Sequence, residues 1–227
     1  MDIELFYTKT GSGPPLLLLH GNGEDGTYFV HQVEEFSRDF TVYAIDTRGH
    51  GQSPRGGAPF TISQFADDLL AFMDRQGPPR ADILGFSDGG NIALTFALRH
   101  PERVNRLILN GANLDPKGVK PLVQLPIVLG YHFASLSKSP KAKARAELLG
   151  LMVNEPHIDP AELGKLSMPV LVIAGTRDMI RENHTRLIAN RIPNARLVLI
   201  PGDHFIANKA PAAFDRAVRQ FLEEEST

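Results

Sequence analysis

Apolar segments of strand length alternate with helical patterns along most of the chain, and this alternation limits the folds available to it. The strand-like runs cover residues 3–8, 15–20, 40–46, 81–86, 104–110, 169–174 and 196–201. Several are apolar at every position, as expected for strands that helices cover on both faces of a parallel sheet. The pattern predicts an α/β fold with a mostly parallel central sheet of about seven strands flanked by helices.

The helical segments carry boundary signals of their own. Thr61 precedes a periodic apolar pattern and is followed by Gln64, which is the spacing of a capping box. Pro211 suits the first turn of a C-terminal helix whose apolar residues share one face. Residues 91–98 are apolar nearly all round, which predicts a deeply buried helix.

Residues 114–167 break this rhythm because they contain no convincing strand. An apolar stretch from Leu122 to Leu136 is followed by a basic helical stretch, and the segment is too long for an ordinary loop. We expect a small helical lid over the carboxyl edge of the sheet, where open α/β sheets bind ligands. The apolar stretch then packs on the sheet or contacts substrate, and a plain pair of surface helices is the alternative.

Composition excludes several function classes. The chain has 227 residues and no cysteine, so disulfides, thiolate catalysis and cysteine-based metal sites are excluded. The formal net charge is −2 and no basic stripe is visible, which argues against a nucleic-acid partner. No signal peptide and no apolar run of about 20 residues is visible. We therefore expect a cytoplasmic protein with no membrane partner, as a monomer or a homodimer.

The segment GFSDGG contains the strongest local signal. Gly85-Phe86-Ser87-Asp88-Gly89 matches G-x-S-x-G and lies between a predicted strand and a buried helix. In that context the motif presents its serine on a sharp turn with a helix N-terminus behind it. A side chain at residue 85 or 89 would collide with neighbouring backbone. Ser87 is therefore the candidate nucleophile.

A serine nucleophile needs a base and a group that orients the base. His204 follows the last predicted strand and Asp178 follows the strand before it, so both should lie at the same sheet edge as Ser87. The neighbouring Asp203 is expected to be a turn residue that points away from the histidine. His20 lies in a strand-end loop, where a hydrogen-bonding role is expected.

The stretch LLLLHGNGEDG, residues 16–26, admits a rival interpretation. Its glycines are spaced G-x-G-x-x-G, and Asp46 follows at the distance of a ribose-binding acid, which is typical of dinucleotide sites. However, Glu24 and Asp25 would repel a pyrophosphate. This interpretation also leaves the serine, histidine and aspartate motifs without a role.

In combination, the motifs HGN, DTRGHGQS, GFSDGG, VLVIAGTRD and IPGDHF resemble those of the α/β-hydrolase superfamily, in particular its lid-bearing serine esterases. The resemblance runs nearly end to end. It implies that Ser87 is the nucleophile, His204 the general base and acid, and Asp178 the orienting carboxylate. It also implies an α/β-hydrolase core of residues 1–113 and 168–227, with residues 114–167 as the lid.

The resemblance implies further roles in the loops. The backbone N–H groups of Asn22 and Asp88 would form the oxyanion hole, while Asp46 and Arg48 would brace the strand-end loops. The implied reaction is acyl transfer from a small carboxylic ester to water, without metal or organic cofactor. C–C bond hydrolysis and perhydrolysis use the same three groups. A non-catalytic small-molecule receptor and an NAD(P)-dependent oxidoreductase are the remaining alternatives.

Three residues are candidate substrate contacts. Asp88 resembles the aspartate of amino-acid-ester hydrolases that share the SDGG run, where it binds a substrate ammonium. The alternative is a purely structural role for Asp88, in which its carboxylate caps the following helix. Leu125 and Phe133, in the apolar stretch of the expected lid, are candidate contacts for a hydrophobic acyl or alcohol group.

Overall fold

A seven-stranded sheet runs through the middle of the molecule, whose computed structural model describes residues 2–224. The strands are β1 Tyr7–Thr10, β2 Pro15–Leu19, β3 Thr41–Ile45, β4 Ala81–Phe86, β5 Val104–Asn110, β6 Val170–Gly175 and β7 Ala195–Ile200. They lie in the order β1-β3-β2-β4-β5-β6-β7. Only β1 runs antiparallel to its neighbour among these strands. The mostly parallel sheet expected from the sequence is confirmed.

The predicted start of the first strand, residue 3, is wrong. The strand begins at Tyr7 rather than at residue 3, although Ile3 and Leu5 are still buried. The N–H of Phe6 donates to the hydroxyl of Ser53, 2.8 Å away, instead of joining a strand ladder. A loop can therefore bury the same apolar side chains that suggested a strand.

Helices connect the strands and flank the sheet. They are α1 Val30–Phe36, α2 Ile62–Arg75, α3 Asp88–Arg99, α4 Pro121–Leu136, α5 Pro140–Asn154, α6 Glu182–Arg191, α7 Ile206–Lys209 and α8 Pro211–Glu223. The hydroxyl of Thr61 accepts the N–H of Gln64 at 3.1 Å and caps α2 as predicted. The side chain of Gln64 reaches Asp68 instead of turning back, so only half of the capping box forms.

The two faces of the sheet pack against different helices. Leu17 and Leu19 of β2 join the cluster that contains residues of α2, α3 and α6. Leu16 and Leu18 join the opposite cluster, which contains residues of α1 and α8. Because successive side chains of a strand point to opposite faces, a strand covered on both sides must be apolar throughout. This explains the uninterrupted leucine run.

Residues 114–167 form α4 and α5 between β5 and β6, and they add no strand to the sheet. Leu151 of α5 is buried in the main core, whereas Ala134 is the only buried residue of α4. The expectation that the apolar stretch packs on the sheet is therefore wrong, because α5 occupies the place next to the core. Within the described residues, no helix combines the length and apolar character needed to cross a membrane.

A buried ion cluster holds the loop after β3. The guanidinium of Arg48, fully buried, forms two 2.7 Å hydrogen bonds with Asp68 of α2 and also contacts Asp2. Its hydrogen bonds with Asp68 raise the pKa of Arg48 above its ordinary value. Asp46 accepts the N–H groups of Gly26 and Gln52 at 2.7 and 2.8 Å. Both residues therefore brace loops, as expected.

Replacing Asp68 by alanine should lower the free energy of unfolding by about 3–5 kcal/mol, because it removes the main partner of a buried guanidinium. Asp67→Ala is the matched control. Its ion pair with Arg99 is partly exposed, so we expect a loss of about 0.2–1 kcal/mol. Urea denaturation measures both variants, and equal losses would contradict the role given to the buried cluster.

Candidate active site

Ser87 lies on a strained turn between β4 and α3. Its backbone angles are φ 53° and ψ −119°, and it is the one residue other than glycine with positive φ in the described part of the chain. The N–H of Ser87 donates to the carbonyl of Asn110 at 2.8 Å, which ties the turn to the end of β5. Such strain in a non-glycine residue persists only when the surrounding structure enforces it.

Two glycines make this turn possible. A Cβ atom on Gly85 would overlap the carbonyl of Gly89, and a Cβ on Gly89 would overlap the carbonyl of Leu19. The collisions expected from the G-x-S-x-G motif are therefore confirmed. The absent side chains let α3 start directly behind the serine, against the ends of β2 and β4.

The structure brings Ser87, His204 and Asp178 together in one hydrogen-bonded chain. The Nε2 atom of His204 is 3.0 Å from the Ser87 hydroxyl, and its Nδ1 atom is 2.7 Å from Asp178 Oδ1. The same carboxylate oxygen accepts the N–H of Ile180 at 2.8 Å. His204 and Asp178 are buried, while Ser87 is partly exposed. The arrangement allows the imidazole to take a proton from the hydroxyl while the carboxylate holds the ring.

The His204 ring is confined by groups that the sequence did not point out. The centroid of the Phe86 ring lies 4.8 Å from that of the imidazole. Gly111, at φ 64°, lies on another side, where an added Cβ would be 2.7 Å from His204 Cε1. A glycine carries no chemical signal of its own. Only its position just after β5, next to the serine turn, could have marked it.

Asp203, which precedes the histidine, is a turn residue as expected. Its carboxylate accepts the N–H of Phe205 at 2.9 Å and pairs with Lys209. Hydrogen bonding to Lys209 lowers the pKa of Asp203. It therefore points away from the His204–Asp178 pair.

The two backbone N–H groups expected to hold an oxyanion are unengaged. Asn22 follows β2 and Asp88 begins α3, and within residues 2–224 neither N–H donates to a backbone acceptor. The side-chain amide of Asn22 donates to the carbonyl of Leu148 in α5 at 2.7 Å. The loop that carries Asn22 is thus tied to the helical segment.

Asp88 does not cap α3 with its side chain. Its carboxylate accepts the amide of Asn91 at 3.3 Å, and the side chain of Asn22 also lies close enough to lower its pKa. Its Oδ2 atom is buried and makes no hydrogen bond of ordinary geometry in the described part of the chain. The residue is 8% exposed, and burial raises the pKa of Asp88 to about 6. An unpaired buried carboxylate oxygen is costly. Asp82 and Asp178 each have one as well, and the oxygen of Asp88 is distinguished from them by its position next to Ser87 in the chain.

The glycine-rich stretch 16–26 does not offer a phosphate cradle. The N–H of Gly21 donates to the Glu24 carboxylate at 3.1 Å, and that of Gly26 donates to Asp46. Burial raises the pKa of Glu24 to about 7. Side-chain carboxylates thus occupy the donors that a pyrophosphate would need, and the dinucleotide interpretation does not hold.

His20 is a structural strut rather than a catalytic base. Its Nδ1 atom lies 2.7 Å from the carbonyl of Gly21, and its Nε2 atom accepts the N–H of Thr47 at 3.0 Å. Burial lowers the pKa of His20 to about 4, so the ring is neutral near pH 7. The expected hydrogen-bonding role is confirmed.

The structure does not bring Leu125 and Phe133 to the Ser87 cluster. They are 60% and 73% exposed on the outer side of α4. Phe133 instead lines a surface groove with Lys141 and Arg145. The sequence predicts that the apolar face of α4 points towards the active site. In the structure this face points to solvent, because α5 lies between α4 and the core.

Comparisons with known proteins give matches over nearly the whole chain. A family model described as alpha/beta hydrolase fold matches residues 14–133, more than half of the chain. A protein of Caulobacter sp. (strain K31), named as a carbamate hydrolase, is 30% identical over 263 aligned residues. The alignment covers 99% of this chain and 98% of that protein.

Two solved structures are similar in both sequence and fold. A thermophilic esterase from Thermogutta terrifontis is 27% identical with a TM-score of 0.80, covering 97% of this chain and 93% of that one. The enol-lactonase from Burkholderia xenovorans LB400 is 25% identical with a TM-score of 0.83, covering 98% and 97%. The similarity therefore includes both the central sheet and the segment between β5 and β6.

Gly111→Ala should displace the His204 ring and slow covalent modification of Ser87 by a fluorophosphonate about 10²-fold or more. The positive φ should also cost about 1–2 kcal/mol of stability. Gly164→Ala is the control, because a Cβ there meets no atom within 4 Å. Labelling rates should be compared only after circular dichroism shows a folded variant. Equal rates for both variants would contradict the confinement of His204.

Proposed function

This chain belongs to the α/β-hydrolase family, and we propose that it is a serine hydrolase that cleaves a small carboxylic ester. The observation that carries the proposal is the hydrogen-bonded chain from Asp178 through His204 to Ser87, with distances of 2.7 and 3.0 Å. A buried carboxylate, an imidazole and a hydroxyl in this order are what nucleophilic attack by serine requires.

In the proposed first half-reaction, His204 Nε2 takes the proton of Ser87 as its oxygen attacks the ester carbon. The negative charge that develops on the carbonyl oxygen is stabilised by the N–H groups of Asn22 and Asp88. Both donors are fixed before the reaction, so they stabilise the transition state without reorganisation. The imidazolium then gives its proton to the leaving alcohol.

The second half-reaction releases the acid. Water replaces the alcohol, His204 takes a proton from it, and the resulting hydroxide attacks the acyl group on Ser87. Collapse of the second tetrahedral intermediate returns the proton to Ser87. Asp178 accepts the Nδ1–H of the ring and keeps the imidazole oriented in both half-reactions. These steps need neither a metal nor an organic cofactor.

The names of the relatives support acyl transfer without fixing the substrate. A carbamate, an ester and an enol-lactone all have a carbonyl carbon bonded to a heteroatom that can leave. Attack at that carbon is the step common to the three. The small ester is therefore proposed as a reaction class, and lactones and carbamates belong in the test panel.

We also propose residues 114–167 as the lid of this site. The hydrogen bond from Asn22 to the carbonyl of Leu148 joins the oxyanion loop to α5. Glu155, just after α5, accepts the N–H of Ile62 at 2.6 Å and joins this segment to α2. Substrate must therefore enter beside α5 or displace it.

An amino-ester substrate is the second candidate, favoured by the state of Asp88. Its Oδ2 atom is buried without a hydrogen-bond partner, beside the N–H proposed for the oxyanion hole. A substrate ammonium next to the scissile carbonyl would pair with this oxygen. Its charge would also offset the desolvation that raises the pKa of Asp88.

Ser87→Ala should lower kcat/KM by at least about 10³-fold on every substrate that the wild type hydrolyses. The panel consists of p-nitrophenyl esters of increasing chain length, a lactone, a carbamate, an amino-acid ester and a diketone whose C–C bond can be hydrolysed. Ser135→Ala, at an exposed serine of α4, is the control and should leave the rate unchanged.

The panel separates the alternatives. The hydrolase proposal would be wrong if the wild type hydrolysed none of these substrates and a fluorophosphonate did not label Ser87. That result would favour a non-catalytic receptor. Turnover confined to a C–C bond substrate would keep the nucleophile but replace the reaction.

The preference for an amino ester over its neutral isostere should rise with pH through about 6, the raised pKa of Asp88. Below that pH the carboxyl is neutral and cannot pair with ammonium, whereas above it the carboxylate can. The ratio of the two kcat/KM values reports this ionisation while the substrate amine stays protonated, because steps common to both substrates cancel in the ratio.

Asp88→Asn is the matched variant for this pH profile, because it keeps the backbone N–H and nearly the same shape. It should lower the ratio about tenfold above pH 6 and flatten the profile. A ratio that stays constant with pH in the wild type would rule out ammonium recognition by Asp88.

A further inference from the structure

Five large apolar side chains form a stripe along the outer face of α4, and we call them the α4 stripe. They are Leu122, Leu125, Leu129, Phe133 and Leu136. Steps of three and four residues place them on one side of the helix. Their exposed fractions range from 49% to 90%. A contiguous apolar surface of this kind usually marks a binding surface.

The α4 stripe contributes nothing to the core. The helix packs on α5 with its other side, and only Ala134 of α4 is buried. The helix contains no lysine, arginine, aspartate or glutamate in its 16 positions, and exposed His132 is the polar side chain next to the stripe. Folding alone does not require this stripe.

The chain around the stripe is purely cationic. Residues 116–146 contain Lys117, Lys120, Lys138, Lys141, Lys143 and Arg145 but no aspartate or glutamate. Lys138, Lys141, Lys143 and Arg145 follow the C-terminal end of the stripe and are exposed. None of these four forms an ion pair with another described residue. Phe133, Lys141 and Arg145 line one groove, so apolar and cationic groups share a surface.

We propose that the α4 stripe docks on an anionic phospholipid surface. The leucine and phenylalanine side chains would enter the boundary between headgroups and acyl chains, with the helix lying in the plane of the interface. Lys141 and Arg145, which line a groove together with Phe133, would meet the anionic headgroups, each adding to the attraction. A second copy of this chain fits the charges less well, because pairing of two such faces would bring like charges together.

This inference departs from the expectation that the protein has no membrane partner. That expectation rested on the lack of a run long enough to span a bilayer, and a helix lying on the surface needs no such run. The docking surface does not include Ser87, His204 or Asp178, so the inference does not depend on the proposed function.

Co-sedimentation with vesicles tests the inference directly. Wild type should bind vesicles of phosphatidylcholine and phosphatidylserine in equal parts at least about tenfold more strongly than phosphatidylcholine alone. Raised salt should reduce this preference. The variant Phe133→Gln/Leu136→Gln should bind about tenfold more weakly to the mixed vesicles. Both positions are more than 70% exposed, so folding should be unaffected.

Two further variants separate the contributions. Lys141→Glu/Arg145→Glu should abolish the preference for anionic vesicles, because it reverses the two charges that line one groove with Phe133. Val30→Gln changes an apolar side chain of α1 that is 56% exposed, and it should bind like the wild type.

Three outcomes would overturn the inference. Wild type fails to bind the mixed vesicles, or the stripe and charge variants bind as well as wild type does. The third is a dimer in analytical ultracentrifugation that Phe133→Gln/Leu136→Gln dissociates, with no vesicle binding, which would identify a second copy as the occupant of the stripe.

Discussion

The backbone at residue 87 is the constraint on which the site depends. Ser87 has a positive φ between a buried strand and a buried helix, and this backbone conformation needs free space on both sides of the turn. Gly85 and Gly89 provide that space because they lack side chains. The hydrogen bond from Ser87 N–H to the carbonyl of Asn110 then fixes the turn against the neighbouring strand. A loose turn would let the hydroxyl move away from the imidazole, so the position of the serine depends on backbone packing, whereas that of His204 depends on Asp178 and Phe86.

The parallel strands bring the other site residues together, because the carboxyl ends of these strands lie at one edge of the sheet. Loops after β6 and β7 bring Asp178 and His204 to that edge, and the loop after β2 brings Asn22. Loops at such an edge need internal support, which the Arg48 and Asp46 hydrogen bonds provide. A rigid sheet and braced loops thus hold polar groups from distant parts of the sequence within hydrogen-bond distance of one another.

Much of this arrangement could be predicted from the sequence, because the G-x-S-x-G context corresponds to a single local geometry and every strand-length apolar run after the first forms a strand. The first run is less specific, because Ile3 and Leu5 are buried from a loop. The orientation of α4 could not be predicted. The helical period of Leu125 and Phe133 is the same whether that face meets the core or the solvent, and the choice was decided by where α5 packs. The role of Gly111 could not be predicted, because a residue without a side chain leaves no chemical signal in the sequence. The unpaired Oδ2 of Asp88 could not be predicted either, because its burial depends on contacts that form only in the folded chain.

The proposed reaction depends on Ser87 acting as the nucleophile. The most direct measurement is the intact mass of the protein after rapid acid quenching of its reaction with p-nitrophenyl acetate. With deacylation slower than acylation, we predict one acetyl group per chain, located at Ser87, together with a burst of p-nitrophenol equal to one enzyme equivalent. An adduct at another residue, or undiminished hydrolysis by Ser87→Ala, would contradict the proposal.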